Sequence, residues 1–247
     1  MGAQAVAQTY QSGRLERTTA RRMLGFCSNA GPSFVFGILG GFFSSAASAW
    51  VLWIIHILSA ILVGLLLPGR NQNAVDVSPV KIITVTEALE RALRIMASVC
   101  GWVILFRIVI HFMDRWILWL FHPVIQNIII GFLELTNGCC MLPEIENEGL
   151  RFILASCFLA AGGSCVAMQT LAVTKELGTG WYFPGKIMQT IISFLMAWAY
   201  QLLCFPITSR TMLRPVVVCP VMIALVLTVL YLKKRKNNSS IPALSGV

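Results

Sequence analysis

Charge is scarce in this sequence. Only 12% of its 247 residues are Asp, Glu, Lys or Arg, while 57% are hydrophobic; the mean hydropathy of +0.78 excludes a single soluble domain. Acids are the scarcer half, 10 Asp and Glu against 19 Lys and Arg, for a formal net charge of +9. A basic excess can point to nucleic acid. Here, however, the basic residues lie between apolar blocks and in the C-terminal "LKKRKNN", the pattern that membrane orientation leaves in cytoplasmic loops. The expected surface is therefore a lipid bilayer, with no nucleic-acid partner. The 8 cysteines include no CxxC pair and read as small apolar filler in helices, with Cys139-Cys140 beside a polar stretch as the one place for a reactive thiol. HExxH, GxSxG and any acid pair at catalytic spacing are missing, and the 3 histidines are scattered near span ends, so no enzyme, metal or cofactor is expected. An apolar h-region with a cleavage site is also missing, and "MGAQAV" has Val6 where a myristoylation motif has Ser or Thr.

What the chain does have is long apolar blocks, continuous and not alternating, which favours helices over a barrel. Residues 1–30 are polar with Arg14, Arg17, Arg21 and Arg22 clustered, and Ser12-Gly13 reads as a turn between two short helices. The uncharged run from Ala30 to Leu67 is too long for one span and divides at "GGFFSSAAS" into a short arm, 33–43, and a span, 49–67. Residues 68–94 read as a loop and an amphipathic helix with a Thr84/Glu87 capping box. A span at 95–112 puts Arg107, His111 and Asp114 on one face, where an interfacial cluster with a snorkelling arginine competes with a pathway lining. Then come an apolar run from Pro123 to Glu134, an acidic loop with Glu144, Glu146 and Glu148, and a span at 151–174 interrupted by Gly162-Gly163. After "KELGTGWYFPGK", read as a loop, follow spans at 187–206 and 215–232 and a basic tail, 233–247. The expectation is an all-α polytopic membrane protein of about five to six embedded helices plus broken or re-entrant segments, its C-terminus cytoplasmic.

Two segments echo each other. "LGFCSNAGPSFV" (24–35) and "LASCFLAAGGSCV" (154–166) share L-x-x-C followed by A-G-[PG]-S-x-V, each preceded by a glycine-centred stretch, "MGAQ" and "TNGCC". Backbone groups freed by a Gly or Pro break cannot stay unpaired in lipid, so two such breaks imply one shared polar cavity. Asn29, Ser33, Ser164 and Gln169 are the side chains placed to bind a solute there. The bland alternative is close helix packing through small residues, as at Gly37-x-x-x-Gly41. Glu134, at mid-depth if Pro123 opens the span, either serves the pathway by holding a proton, a cation or a solute donor, or only locks a helix break by hydrogen bonding.

With "SGRLERTTARRMLGFCSNAGPSFVFGILG", "GFLELTNG" and "AAGGSCVAMQT", the chain resembles the nucleoside-recognition, or Gate, domain proteins, and within them the sporulation integral membrane protein YlbJ family, over roughly residues 2–200. The resemblance implies an inverted repeat, with the end of the first Gate-like repeat in 1–67, the second in 95–206, and a final helix in 207–232. It implies a transporter or permease component in a bacterial cell or forespore membrane that moves a small anionic solute, dipicolinic acid. Implied solute-binding positions are Asn29, Pro32 and Ser33 in one half and Glu134, Asn137, Gly163 and Gln169 in the other, to which the break itself adds Ser164. A homo-oligomer or other sporulation membrane proteins are the implied partners. Starting at "MGAQ", the chain reads as lacking the family's earlier segments. The competing reading is a non-transporting scaffold of an envelope or sporulation complex.

Overall fold

The computed structural model describes residues 2–69 and 84–204. The chain divides into two units, Met1–Ala197 and Trp198–Val247; of the second, the described part is the last turns of one helix. The span expected at 215–232 and the basic tail lie outside the described residues, as do residues 70–83, most of the stretch expected to be a loop. All regular structure among the described residues is helical: α1 (Gly2–Gln11), α2 (Arg17–Met23), α3 (Pro32–Gly37), α4 (Ala46–Leu66), α5 (Val85–Trp116), α6 (Pro123–Leu133), α7 (Leu135–Met141), α8 (Glu148–Ala161), α9 (Gly163–Val173) and α10 (Tyr182–Cys204). Among the described residues, three stretches are long and apolar enough to cross a membrane: Ala46–Leu66, Val85–Trp116 and Glu148–Val173. This is an integral membrane protein, all-helical over its described residues.

Helix α4 shows how such a chain sorts its faces. Trp50, Ile54, Leu58, Ile61 and Leu65 point outward at helical spacing, while Ser48, His56 and Ser59 are buried. Where the solvent is lipid, the apolar stripe belongs outside and polar side chains pair inside. The sequence places α4 and the arm before it within a few residues, but not their packing. Nothing approaches a Cβ placed on Gly37 or Gly41, so this pair is no helix–helix contact.

Helix α5 carries the expected capping box, with the Thr84 hydroxyl accepting from the Glu87 N–H and the Glu87 carboxylate from the Thr84 N–H, both at 3.3 Å. It then runs unbroken to Trp116, so no break falls at residue 94, where the amphipathic helix was separated from the span.

Pro123 opens α6 at its first position, where a missing N–H costs nothing. The break expected at Asn137-Gly138 is instead at Glu134, one extended residue (φ −142, ψ 118) between α6 and α7. An unbroken helix would separate Asn127 from Gly138 by about 16 Å. Instead Asn127 Nδ2 donates to the Gly138 carbonyl at 3.0 Å, and a Cβ on Gly138 would lie 2.1 Å from Gly131 Cα. The chain therefore folds back on itself: α6 and α7 are a tight helical hairpin, too short on either arm to cross a membrane.

Helices α8 and α9 break at Gly162 and Gly163, both left-handed at φ 74 and 75, a conformation that disfavours side chains. A Cβ on Gly163 would also come within 3.3 Å of the Gly131 and Leu133 carbonyl oxygens. The second break thus seats directly on the hairpin. Helix α10 begins at Tyr182, inside the stretch read as a loop. Pro184 is tolerated in its first turn, and Gly185 lets its backbone approach the first break, since a Cβ there would sit 2.2 Å from the Gly25 carbonyl oxygen.

Charges gather at the two ends of α4. At its C-terminus Arg22 donates to the Leu67 and Gly64 carbonyls at 3.1 and 2.6 Å, satisfying helix-end oxygens. Beside it the Trp181 N–H donates to the Arg21 carbonyl at 3.1 Å. At the N-terminal end Glu148 accepts from the Ser44 N–H and hydroxyl, each at 2.9 Å, and Arg151 donates to the Phe42 carbonyl at 2.6 Å. The 21 residues of α4 therefore separate a basic face from an acidic one by about 30 Å.

Candidate functional site

Between the two backbone breaks lies a cavity of about 390 Å³. Ser28, Asn29 and Ala30 of the first break form one wall; Gly162 of the second break and Leu135 at the hairpin tip form another. Helix α9 adds Gln169 and Thr170, and α5 lines the open side with Arg91, Arg94 and Ser98, all three exposed. Its lining is mainly apolar, with polar groups from the first break, α9 and α5 set into it.

The polar groups of the first break are held from behind by α10. Asn29 Nδ2 donates to the Phe26 carbonyl at 2.7 Å, and its Oδ1 accepts from Gln189 Nε2 at 2.9 Å. Gln189 Oε1 in turn accepts from Lys186 Nζ at 3.0 Å. Lys186 also donates to the Ala160 carbonyl at 3.2 Å and to the Ser28 carbonyl. Across the break, His56 Nε2 accepts the Ala30 N–H at 3.2 Å, which leaves the ring proton on Nδ1. That Nδ1 is buried without a partner among the described residues. Farther along α10 the Ser193 and Ser156 hydroxyls pair at 2.7 Å. Lys186, Gln189 and Ser193 are all buried and spaced as one face of α10.

Glu134, 2% exposed, does not wall the cavity. Its carboxylate caps α7: Oε1 accepts the Thr136 N–H at 3.0 Å, and Oε2 accepts the Asn137 N–H at 2.7 Å and Asn137 Nδ2 at 2.6 Å. An anion at a helix N-terminus satisfies donors that the hairpin would otherwise leave open. The Asn137 Oδ1 accepts from Arg107 Nη1 at 2.9 Å, so a cation on α5 answers the buried acid through one amide. Arg107 is itself exposed, as are His111 and Asp114 on the same helix.

Of the positions named from sequence, Asn29 and Gln169 line the cavity. Gln169 Nε2 donates to Cys165 Sγ at 3.2 Å. Glu134, Asn137, Gly163 and Ser164 build the hairpin and its seat, with the Ser164 hydroxyl donating to the Phe132 carbonyl at 3.2 Å. Pro32 and Ser33 open α3 and are exposed, outside the cavity walls. Sequence reasoning missed Arg91 and Arg94, which read as the polar face of an amphipathic helix, and Lys186, hidden behind a Pro-Gly pair. Among the described residues no three His, Cys, Asp or Glu come together as a metal-ligand set.

No family model, curated protein or solved structure matches this chain. The chemistry of the site therefore rests on its own residues, which offer two guanidinium groups and a set of neutral hydrogen-bonding groups around a space for a small molecule.

Proposed function

We propose that this chain is a transporter or permease component that receives a small anionic solute between its two helix breaks. The observation that carries the reading is the pairing of Arg91 and Arg94 with Asn29 and Gln169 around one cavity. Guanidinium forks suit carboxylates, and neutral amides fix orientation. At about 390 Å³ the space is at the small end of ligand pockets, which suits a compact organic anion. The sequence resemblance to the Gate-domain and YlbJ families supports dipicolinic acid, a planar dicarboxylate whose two charges match two arginines.

Helix α10 and the helix expected at 215–232 bring the spans to five, and the two breaks, at 24–31 and 162–163, are the corresponding points of an inverted repeat. The basic face is cytoplasmic by the positive-inside rule, and with it the tail. A forespore-surrounding membrane is the corresponding location.

The test is uptake of labelled dipicolinate into liposomes carrying the purified protein. Each charge-assisted contact is worth about 1.5–3 kcal/mol, so Arg91→Gln with Arg94→Gln lowers uptake or affinity by roughly a hundredfold or more. Equal uptake by the double variant would remove the arginines from recognition. No uptake by either protein favours the scaffold reading, in which changes at 68–90 or 175–186 are the damaging ones.

A further inference from the structure

A lysine in the middle of a membrane protein needs a reason. Lys186 is 5% exposed and lies on the core face of α10. An ammonium group has three N–H donors, and Lys186 spends them on three oxygens: the Ser28 carbonyl, the Ala160 carbonyl and Gln189 Oε1. The first two belong to different breaks. Ser28 lies in the stretch between α2 and α3, and Ala160 is in the last turn of α8, whose final carbonyls have no helical partner. Both are oxygens set free by interrupting a helix. Unwound carbonyls and helix C-terminal ends, with an amide oxygen added, are the donor set that holds a monovalent metal cation in ion-coupled carriers.

We propose that the Lys186 ammonium is a resident cation, tethered in the oxygen cradle where the two breaks meet, in the place a coupling sodium or potassium ion would otherwise take. The arrangement does for the backbone what a bound ion does: it pulls carbonyls of both breaks toward one positive charge and, through Gln189, orients the Asn29 amide at the cavity wall. Being covalently attached, it never leaves. Solute movement therefore draws on no sodium or potassium gradient. That consequence rests on the transport reading above; the cradle does not.

The cradle is tested on purified protein by thermal unfolding in NaCl, KCl and N-methylglucamine chloride. Wild type unfolds at the same temperature in all three. Lys186→Ala, which vacates the cradle, is less stable in N-methylglucamine and regains about 5 °C or more in saturating NaCl or KCl, as binding to the folded state alone requires. Lys186→Met, which fills the space without charge, gains nothing from either metal ion. The proposal is overturned if wild type needs a metal cation for stability, if folded Lys186→Ala ignores both salts, or if Lys186→Ala folds in none of the three. Recovery of Lys186→Ala only in NaCl or KCl supports it. No solute is needed, so failure of dipicolinate uptake leaves this result standing, and failure here leaves the anion cavity untouched.

Discussion

Glu134 accepts three hydrogen bonds while almost wholly buried, and that explains an acid inside so apolar a run. Its task is to end one helix and begin another within a single residue. Glu134→Gln puts an N–H where a carboxylate oxygen accepted one, leaving a buried donor facing a donor at a cost of about 1–3 kcal/mol. Thermal unfolding in detergent should therefore show Glu134→Gln clearly less stable, with dipicolinate affinity disturbed less than by Arg94→Gln. Wild-type stability for the variant would return Glu134 to the pathway side of the argument. The residue was conspicuous in the sequence because charge is rare there, and locking a helix break was one of the two roles open to it, but the choice between them was not legible. Whether a carboxylate faces a cavity or caps a helix depends on which way the chain turns next, and a one-residue reversal has no turn signature to read.

The helix breaks were the most legible elements, since Gly162-Gly163 and the Pro123 start each obey a local backbone rule. What the sequence cannot convey is which glycine is pressed against something. Gly138 and Gly131 touch across the hairpin, and a Cβ on Gly131 would sit 2.3 Å from the Phe158 ring, whereas Gly37 and Gly41 have open space. Gly138→Ala should accordingly force the hairpin apart and destabilise by about 1–3 kcal/mol or more. Gly37→Ala, in a helix and unopposed, should be neutral or mildly stabilising. A comparison of unfolding midpoints in one detergent checks both; equal effects would mean that the hairpin is not the tight joint described. The start of α10 eluded the sequence for the opposite reason. Trp-Tyr-Phe-Pro-Gly-Lys carries loop punctuation, but Pro is harmless in a first turn, and Gly185 is there to pack on Gly25. Arg91 and Arg94 were visible only as a polar face, because a cavity wall is a tertiary fact.

Across the whole molecule, basic Arg21 and Arg22 meet Trp181 and the end of α4, while Glu148 and Arg151 clasp the turn before it. Cysteines placed at Ser12 and at Glu146, both exposed, in a background lacking the native thiols should react with an impermeant maleimide from opposite sides of sealed vesicles, Glu146→Cys from outside. Labelling of both from one side would undo the membrane frame. Hydropathy alone placed the spans of α4, α5 and α8–α9 because lipid imposes one constraint on length, but side-chain partners across them depend on packing that no window of sequence contains. The seat of the hairpin on Gly163 has a further consequence, for the order of events at the ribosome. The chain up to Met141 is made before α8 and α9 exist, and neither hairpin arm is long enough to be held by the bilayer as a span. The hairpin can therefore take its seat on the left-handed glycine only once the chain has been made as far as Gly163, twenty-odd residues after its own second arm is complete.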